Sequence, residues 1–261
     1  MSQTKISSPN YGERNMKSIA IFNPRGGSGR TSVSIHLCEG LARLGKKTLL
    51  IDFDPQSHIT CAMWEYLPEN YMSLSQFIKG EVSLNKIIYQ HKYFDFIPSG
   101  SGLYSYNCFE NYKYTRKSMK EMLSKLESYD FVLIDCPSSL GIINLCIIST
   151  ARYIISPITY DIYIEKSLDN LFGIINGIKS RKINYHRIIF NKYDTENKIF
   201  IKYVEDLRKR YGDIMFKTVI RDSKDICDSI ATYESIFDYD RSSIAAHDCL
   251  EFSLEVINSF T

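Results

Sequence analysis

Ser18-Ile19-Ala20-Ile21-Phe22-Asn23-Pro24-Arg25-Gly26-Gly27-Ser28-Gly29-Arg30-Thr31-Ser32 is the stretch on which the reading of this chain turns. An apolar run of strand type, Ser18 to Phe22, breaks into a glycine turn, and a helical stretch then continues through Leu44. Glycines let backbone N–H groups converge on an anion, and the following helix N-terminus adds the positive end of its dipole. A hydroxyl at Thr31 is a hard ligand for Mg²⁺. Strand, glycine turn and helix thus form a phosphate cradle, although the same turn also serves as a plain tight connection. The strict P-loop pattern is missed twice: Pro24 stands where its first glycine would be, and Arg30 where its lysine would be.

Working outward, similar short apolar runs recur at Thr48 to Phe53, Phe94 to Pro98, Phe131 to Asp135, Tyr153 to Ser156, Arg187 to Phe190 and Phe216 to Ile220. Most are continuous instead of alternating, as in strands buried on both faces, and stretches with helical spacing lie between most of them. Leu37, Leu41 and Leu44 make one such stripe, and Met119, Met122, Leu123 and Leu126 another. This order predicts an α/β fold, a doubly wound, mostly parallel sheet with helices on both faces. With 261 residues, 44% of them apolar, the chain can bury one large core, so a single domain over 17–261 behind a flexible N-terminal tail over 1–16 is expected.

Two of the runs end in acids. Thr48 to Phe53 runs into Asp52-Phe53-Asp54-Pro55-Gln56, and Phe131 to Ile134 ends in Asp135-Cys136-Pro137-Ser138-Ser139-Leu140-Gly141. Open α/β sheets place ligands at the carboxyl ends of their strands, and acids beside a phosphate turn suit Mg²⁺ and water handling better than helix capping.

On these three boxes, in this order and spacing, the chain resembles the ParA family of chromosome and plasmid partition ATPases, within the group that carries a deviant Walker A motif. The likeness extends over about residues 17–258, through Ile155-Ser156-Pro157 to Glu165, Asn191-Lys192-Tyr193-Asp194 and Lys217-Thr218-Val219-Ile220. It implies a P-loop NTPase-like fold and ATP/ADP with Mg²⁺ as cofactors. Gly26, Gly27, Ser28, Gly29, Arg30, Thr31 and Ser32 would wrap the phosphates. Thr31, Asp52 and Asp135 would hold Mg²⁺, directly or through water; Asp54 would orient the attacking water; Asn191 would contact adenine. Arg25, Arg30 and Asp54 are the candidate catalytic groups, with Arg25 reaching across a nucleotide-dependent homodimer. Both signature lysines are arginine here, and a planar guanidinium does not simply replace a compact ammonium between phosphate oxygens. Two functions follow. One is an ATP-binding dimerisation switch that binds double-stranded DNA non-specifically, answers to a ParB-like stimulating protein and hydrolyses ATP slowly. The other is a non-hydrolysing interaction protein locked in one nucleotide state by Arg25 and Arg30.

Charge is unevenly placed: Lys179 to Lys224 holds 13 Lys/Arg against 6 Asp/Glu, and Asp225 to Thr261 holds 1 against 8. The DNA candidates are Lys179, Arg181 and Lys182, with Arg208, Lys209 and Arg210, although the same clustering also suits ordinary solvated helix faces. The last loop, Arg221-Asp222-Ser223-Lys224-Asp225, carries acids where the family carries bases. The terminal helix is expected to pack Ile244, Ala245, Leu250, Leu254 and Ile257 on the sheet. Its acids Asp248, Glu251 and Glu255 disfavour an anionic membrane. No apolar run reaches the roughly 18 residues of a bilayer span, the opening stretch is polar, and seven scattered cysteines form no C-x-x-C pair. A cytoplasmic protein without a disulfide framework or zinc site is expected. Cys136 reads as a core residue, the five histidines show no metal spacing, and Tyr104, Tyr106, Tyr112 and Tyr114 read as a locally packed aromatic stretch.

Overall fold

The computed structural model describes residues 16–107, 112–139, 141–161, 163–178 and 186–260. Eight strands form one sheet: β1 (Lys17–Ile21), β2 (Thr48–Asp52), β3 (Tyr89–Gln90), β4 (Asp95–Ile97), β5 (Phe131–Asp135), β6 (Tyr153–Ile158), β7 (His186–Tyr193) and β8 (Met215–Arg221). Their order is β3-β4-β2-β5-β1-β6-β7-β8, and every pairing is parallel except β3 with β4. Each apolar run read as a strand is one, to within a few residues; β3, two residues long on the sheet edge, carries no apolar pattern and is an addition to that reading. The expected tail lies outside the described residues apart from Met16, which is buried.

Successive side chains of a strand point to opposite faces, and both faces are covered. Ala20, Leu49, Ile51, Val132 and Ile134 enter one core with α3 (Leu74–Lys79), α4 (Tyr112–Ser124), α5 (Ile142–Thr150), α6 (Ile164–Ile178) and α7 (Lys198–Tyr211). Ile19, Ile21, Leu50, Phe131 and Leu133 enter the other with α1 (Arg30–Arg43), α2 (His58–Met63), α8 (Lys224–Ala231), α9 (Ile236–Tyr239) and α10 (Ile244–Phe260).

The terminal helix packs on the sheet as expected through Ala245, with Leu250 and Ile257 partly buried against the core, but the rest of the expected stripe turns outward. Ala245, Cys249, Phe252, Val256 and Phe260 are buried, whereas Ile244 and Leu254 face solvent. The aromatic rings set the helix rotation: Phe252 and Phe260 meet Phe216 of β8 edge-on, and Phe260 stacks on Tyr153 of β6. Its acids serve the sheet edge. Glu255 accepts hydrogen bonds from the N–H groups of Lys217 and Thr218 at 2.6 and 2.8 Å, and Asp248 accepts from the Arg221 N–H at 3.0 Å while pairing with its guanidinium. Three N–H groups of an edge strand, a template for unwanted pairing, are thereby consumed. Among the described residues no helix is long and apolar enough to cross a membrane.

Candidate functional site

The glycine turn leaves β1 between β5 and β6 and enters α1. Asn23 fixes its start, donating through Nδ2 to the Pro157 carbonyl at 2.7 Å and accepting from the Arg25 N–H at 2.9 Å. Gly27 and Gly29 both have φ near +80° (77° and 84°), the left-handed region that glycine enters without steric cost. Gly29 is required twice over, because a Cβ there would stand 2.0 Å from Asn191 Nδ2. That amide donates to the Ser28 carbonyl at 3.0 Å, so Asn191, buried at the end of β7, braces the turn from beneath.

The strand-end acids meet where the sequence puts them. Asp52 and Asp135 are partners in the β2–β5 register, and Ile21, the last residue of β1, pairs with Asp135 from the other side. Ser34 Oγ donates to Asp135 at 2.7 Å and Thr31 Oγ1 at 3.2 Å. Asp52 accepts from the Thr60 N–H and Oγ1 at 2.8 and 2.7 Å, and from the Asp54 N–H at 3.0 Å. Burial pushes both carboxyls above the usual carboxylate range; the Asp52 charge raises Asp135 further, while the donors on Asp52 pull the other way. Asp54, also buried, accepts from the Gln56 N–H at 2.9 Å, and His58 Nδ1 lies 3.6 Å from its other oxygen. Ser99, just past β4, ties this box down: its Oγ donates to the Asp54 carbonyl at 2.6 Å and its N–H to Thr60 Oγ1 at 2.9 Å.

Both arginines are engaged within the chain. Arg30 turns back along the loop, its Nη1 donating to the carbonyls of Asn23 (2.6 Å) and Arg25 (2.7 Å) and its Nε to that of Cys136 (3.1 Å). Arg25, partly exposed, forms an ion pair with Asp161 in the loop after β6. Cys136 is fully buried. No group of three or more His, Cys, Asp or Glu among the described residues could hold a metal by itself.

A family model described as an AAA domain (AAA_31) matches residues 16–189. The chromosome-partitioning ATPase Soj of Treponema pallidum is 27% identical over 252 residues, covering 92% of this chain and 97% of that protein. The chain belongs to the ParA/Soj family of AAA-domain proteins. Solved structures agree on the fold of this ParA-family chain. A plasmid partition protein from Borrelia burgdorferi bound to AMPPNP superimposes with a TM-score of 0.75 at 24% identity, covering 92% of this chain and 99% of that one. Cobyrinic acid a,c-diamide synthase from Mycobacterium smegmatis, with bound ADP and magnesium, gives 0.77 at 19%, covering 93% and 94%.

The structure brings Arg25, Gly26 to Ser32, Asp52, Asp54, Asp135 and Asn191 to one end of the sheet. Lys179, Arg181 and Lys182 lie outside the described residues. On α7, Arg208 donates to the Lys217 carbonyl, Lys209 pairs with Asp206 at 2.9 Å, and Arg210 lies 3.6 Å from Glu165. The sequence reading passed over Asn23, Ser34, Thr60, Ser99 and Asp161. Ser34 was within reach, three residues after Thr31 on the same helix face, and Asn23 opens the glycine turn itself; Thr60, Ser99 and Asp161 come from segments with no motif.

Proposed function

We propose that this ParA-family protein is an ATP-dependent dimerisation switch of the partition type, binding nucleotide with Mg²⁺, associating with duplex DNA in the bound state and hydrolysing slowly. The observation that carries it is the convergence of a left-handed glycine turn at a helix N-terminus with two buried, adjacent carboxylates. Two carboxylates deprived of water, with the Thr31 hydroxyl on one of them, form an oxygen set that suits a small hard cation. Thr31, Asp135 and Asp52 would hold Mg²⁺, directly or through water, and the ion would neutralise phosphate charge there. The N–H groups of Gly26 to Ser32 would bind the β- and γ-phosphates, Asn191 would hold the turn in shape beside the base, and Asp54 would accept a hydrogen bond from the attacking water. Arg25 would leave Asp161 to reach a partner's phosphates in a homodimer. DNA and a ParB-like activator are the partners this reading assigns, in the cytoplasm on the nucleoid.

The geometry of Arg30 favours a second reading. A guanidinium already shared among three loop carbonyls opposes entry of phosphate oxygens, which describes a non-hydrolysing scaffold with Arg25 and Arg30 fixing one state. Phosphate release from Mg²⁺·ATP, measured with duplex DNA for the parent protein, Arg30→Lys and Asp54→Ala, separates the two. The switch gives turnover in the parent that Asp54→Ala abolishes while prolonging DNA residence. A silent parent beside an active Arg30→Lys variant supports the scaffold.

A further inference from the structure

The sheet separates charge. On one side, α3 and α4 carry Lys79, Lys113, Arg116, Lys117 and Lys120 against the single acid Glu121. On the other, α8, α9 and α10 carry Asp225, Asp228, Asp238, Asp248, Glu251 and Glu255 against the single base Lys224. The charge of α3 and α4 favours a polyanion and that of α8 to α10 disfavours one, although Asp238 and Asp248 are themselves paired with Arg43, Lys92 and Arg221.

Within α4 the bases are not scattered. Lys113, Lys117 and Lys120 fall at i, i+4 and i+7, one stripe two turns long, about 10 Å at 1.5 Å per residue. All three are exposed, and Met119, Met122 and Leu123 face the core. Among the described residues Lys113 and Lys120 form no ion pair, and Lys117 has only a long contact of 3.8 Å to the exposed Glu121. Lys79 extends the patch: a Cβ at Gly80, its neighbour, would lie 3.8 Å from Tyr114 Oη, which joins the end of α3 to the first turn of α4. Tyr114 is 47% exposed there. Of the α7 bases, Arg208 donates to the Lys217 carbonyl, Lys209 pairs with Asp206 at 2.9 Å and Arg210 lies 3.6 Å from Glu165. The chain leading from β4 towards α4 also touches the nucleotide box, through Ser99 on Asp54 and Tyr104 on the Gln56 side chain.

We propose that the Lys79, Lys113, Lys117 and Lys120 face of α3 and α4 is the docking surface for the phosphate backbone of duplex DNA. This rests on the reading of the chain as a DNA-binding switch and moves its interface away from α7. Phosphate contacts of this kind are sequence-independent and salt-sensitive.

The test is fluorescence anisotropy with a labelled random-sequence duplex and Mg²⁺·ATP, across salt from about 50 to about 200 mM. The combined variant Lys113→Gln/Lys117→Gln/Lys120→Gln is expected to lower the slope of log K against log salt by about one unit per lysine, close to three in all. The corresponding Lys→Arg variant retains the parent slope, and Lys209→Gln/Arg210→Gln changes it by less than about one. All three lysines are exposed, so thermal stability is unchanged; each single Lys→Gln variant, expected to lose about one unit, repeats the test independently. A parent that binds DNA with a slope the combined variant leaves unaltered overturns this surface and leaves the switch standing. A parent that binds no DNA in any nucleotide state overturns both. Loss of binding to vesicles of anionic lipid, with DNA binding untouched, assigns the face to a membrane and also overturns the proposal.

Discussion

His36 gives the sharpest quantitative expectation. It lies fully inside the protein on α1, lining a small cavity with Ser32, Asn191, Ile226 and Phe252 behind the glycine turn, and among the described residues neither ring nitrogen makes a hydrogen bond of normal geometry. Burial lowers its pKa from 6.5 to about 4, an effect only partly offset by the Ile226 backbone. The sign follows from proton counting. Between pH 6.5 and about 4 the unfolded chain binds this proton and the folded chain does not, so stability is complete above the unfolded value and lost as pH falls through the window. At pH ~5 the linkage amounts to a loss of about 2 kcal/mol relative to neutral pH, which is about 4–8 °C in Tm for a chain of this size. Asp52, Asp135 and Glu39, whose carboxyls burial pushes up, titrate with the opposite sign, so the parent curve alone is a mixture. The informative quantity is the difference between the parent and His36→Leu, followed by thermal melting from pH ~7.5 to ~5. The parent should lose about 2 kcal/mol more than the variant across that range. Parallel curves would show that His36 accepts a proton in the fold at its ordinary pKa, and the reasoning from burial would fail.

Three further outcomes follow from particular contacts. Asp135→Asn removes a buried charge pressed by Asp52, and should raise the stability of the ligand-free protein near pH 8 by on the order of 1–3 kcal/mol while abolishing the Tm increase produced by Mg²⁺·ATP. Gly29→Ala forces a Cβ onto Asn191 in a left-handed turn and should cost more than about 1 kcal/mol; adding Asn191→Ala recovers the steric part and leaves the backbone part, a non-additivity that a double-mutant cycle reads directly. Glu255→Ala strips the Lys217 and Thr218 N–H groups of their acceptor, and should cost about 1–3 kcal/mol in chemical denaturation together with concentration-dependent association through the opened edge, seen by light scattering.

What could be read from the sequence divides along physical lines. Seven strands were legible because most of their residues are apolar and buried, even in the edge strand β8 where Lys217 faces solvent; β3 was not, since two residues at a sheet edge leave no pattern. The placement of Gly29, Asp52 and Asp135 was legible for the same reason: strand ends in a parallel sheet converge on one edge, so their meeting follows from order alone. Rotation of α10 was not, because Ile244 and Leu254 are as apolar as Phe252 and Val256, and only the rings of Phe216 and Tyr153 decide which stripe turns inward. Charge was legible only as composition: Arg208, Lys209 and Arg210 count as a basic cluster, and their partners, a carbonyl and two carboxylates, belong to three dimensions. Arg30 is the same problem at the centre of the site. The sequence shows a positive charge preserved where a lysine is expected, but the planar fork of a guanidinium spans the carbonyls of Asn23, Arg25 and Cys136 together, where a single ammonium would present one compact charge. Charge conservation and geometric replacement are separate properties, and at this position the first holds while the second determines whether the loop opens to phosphate.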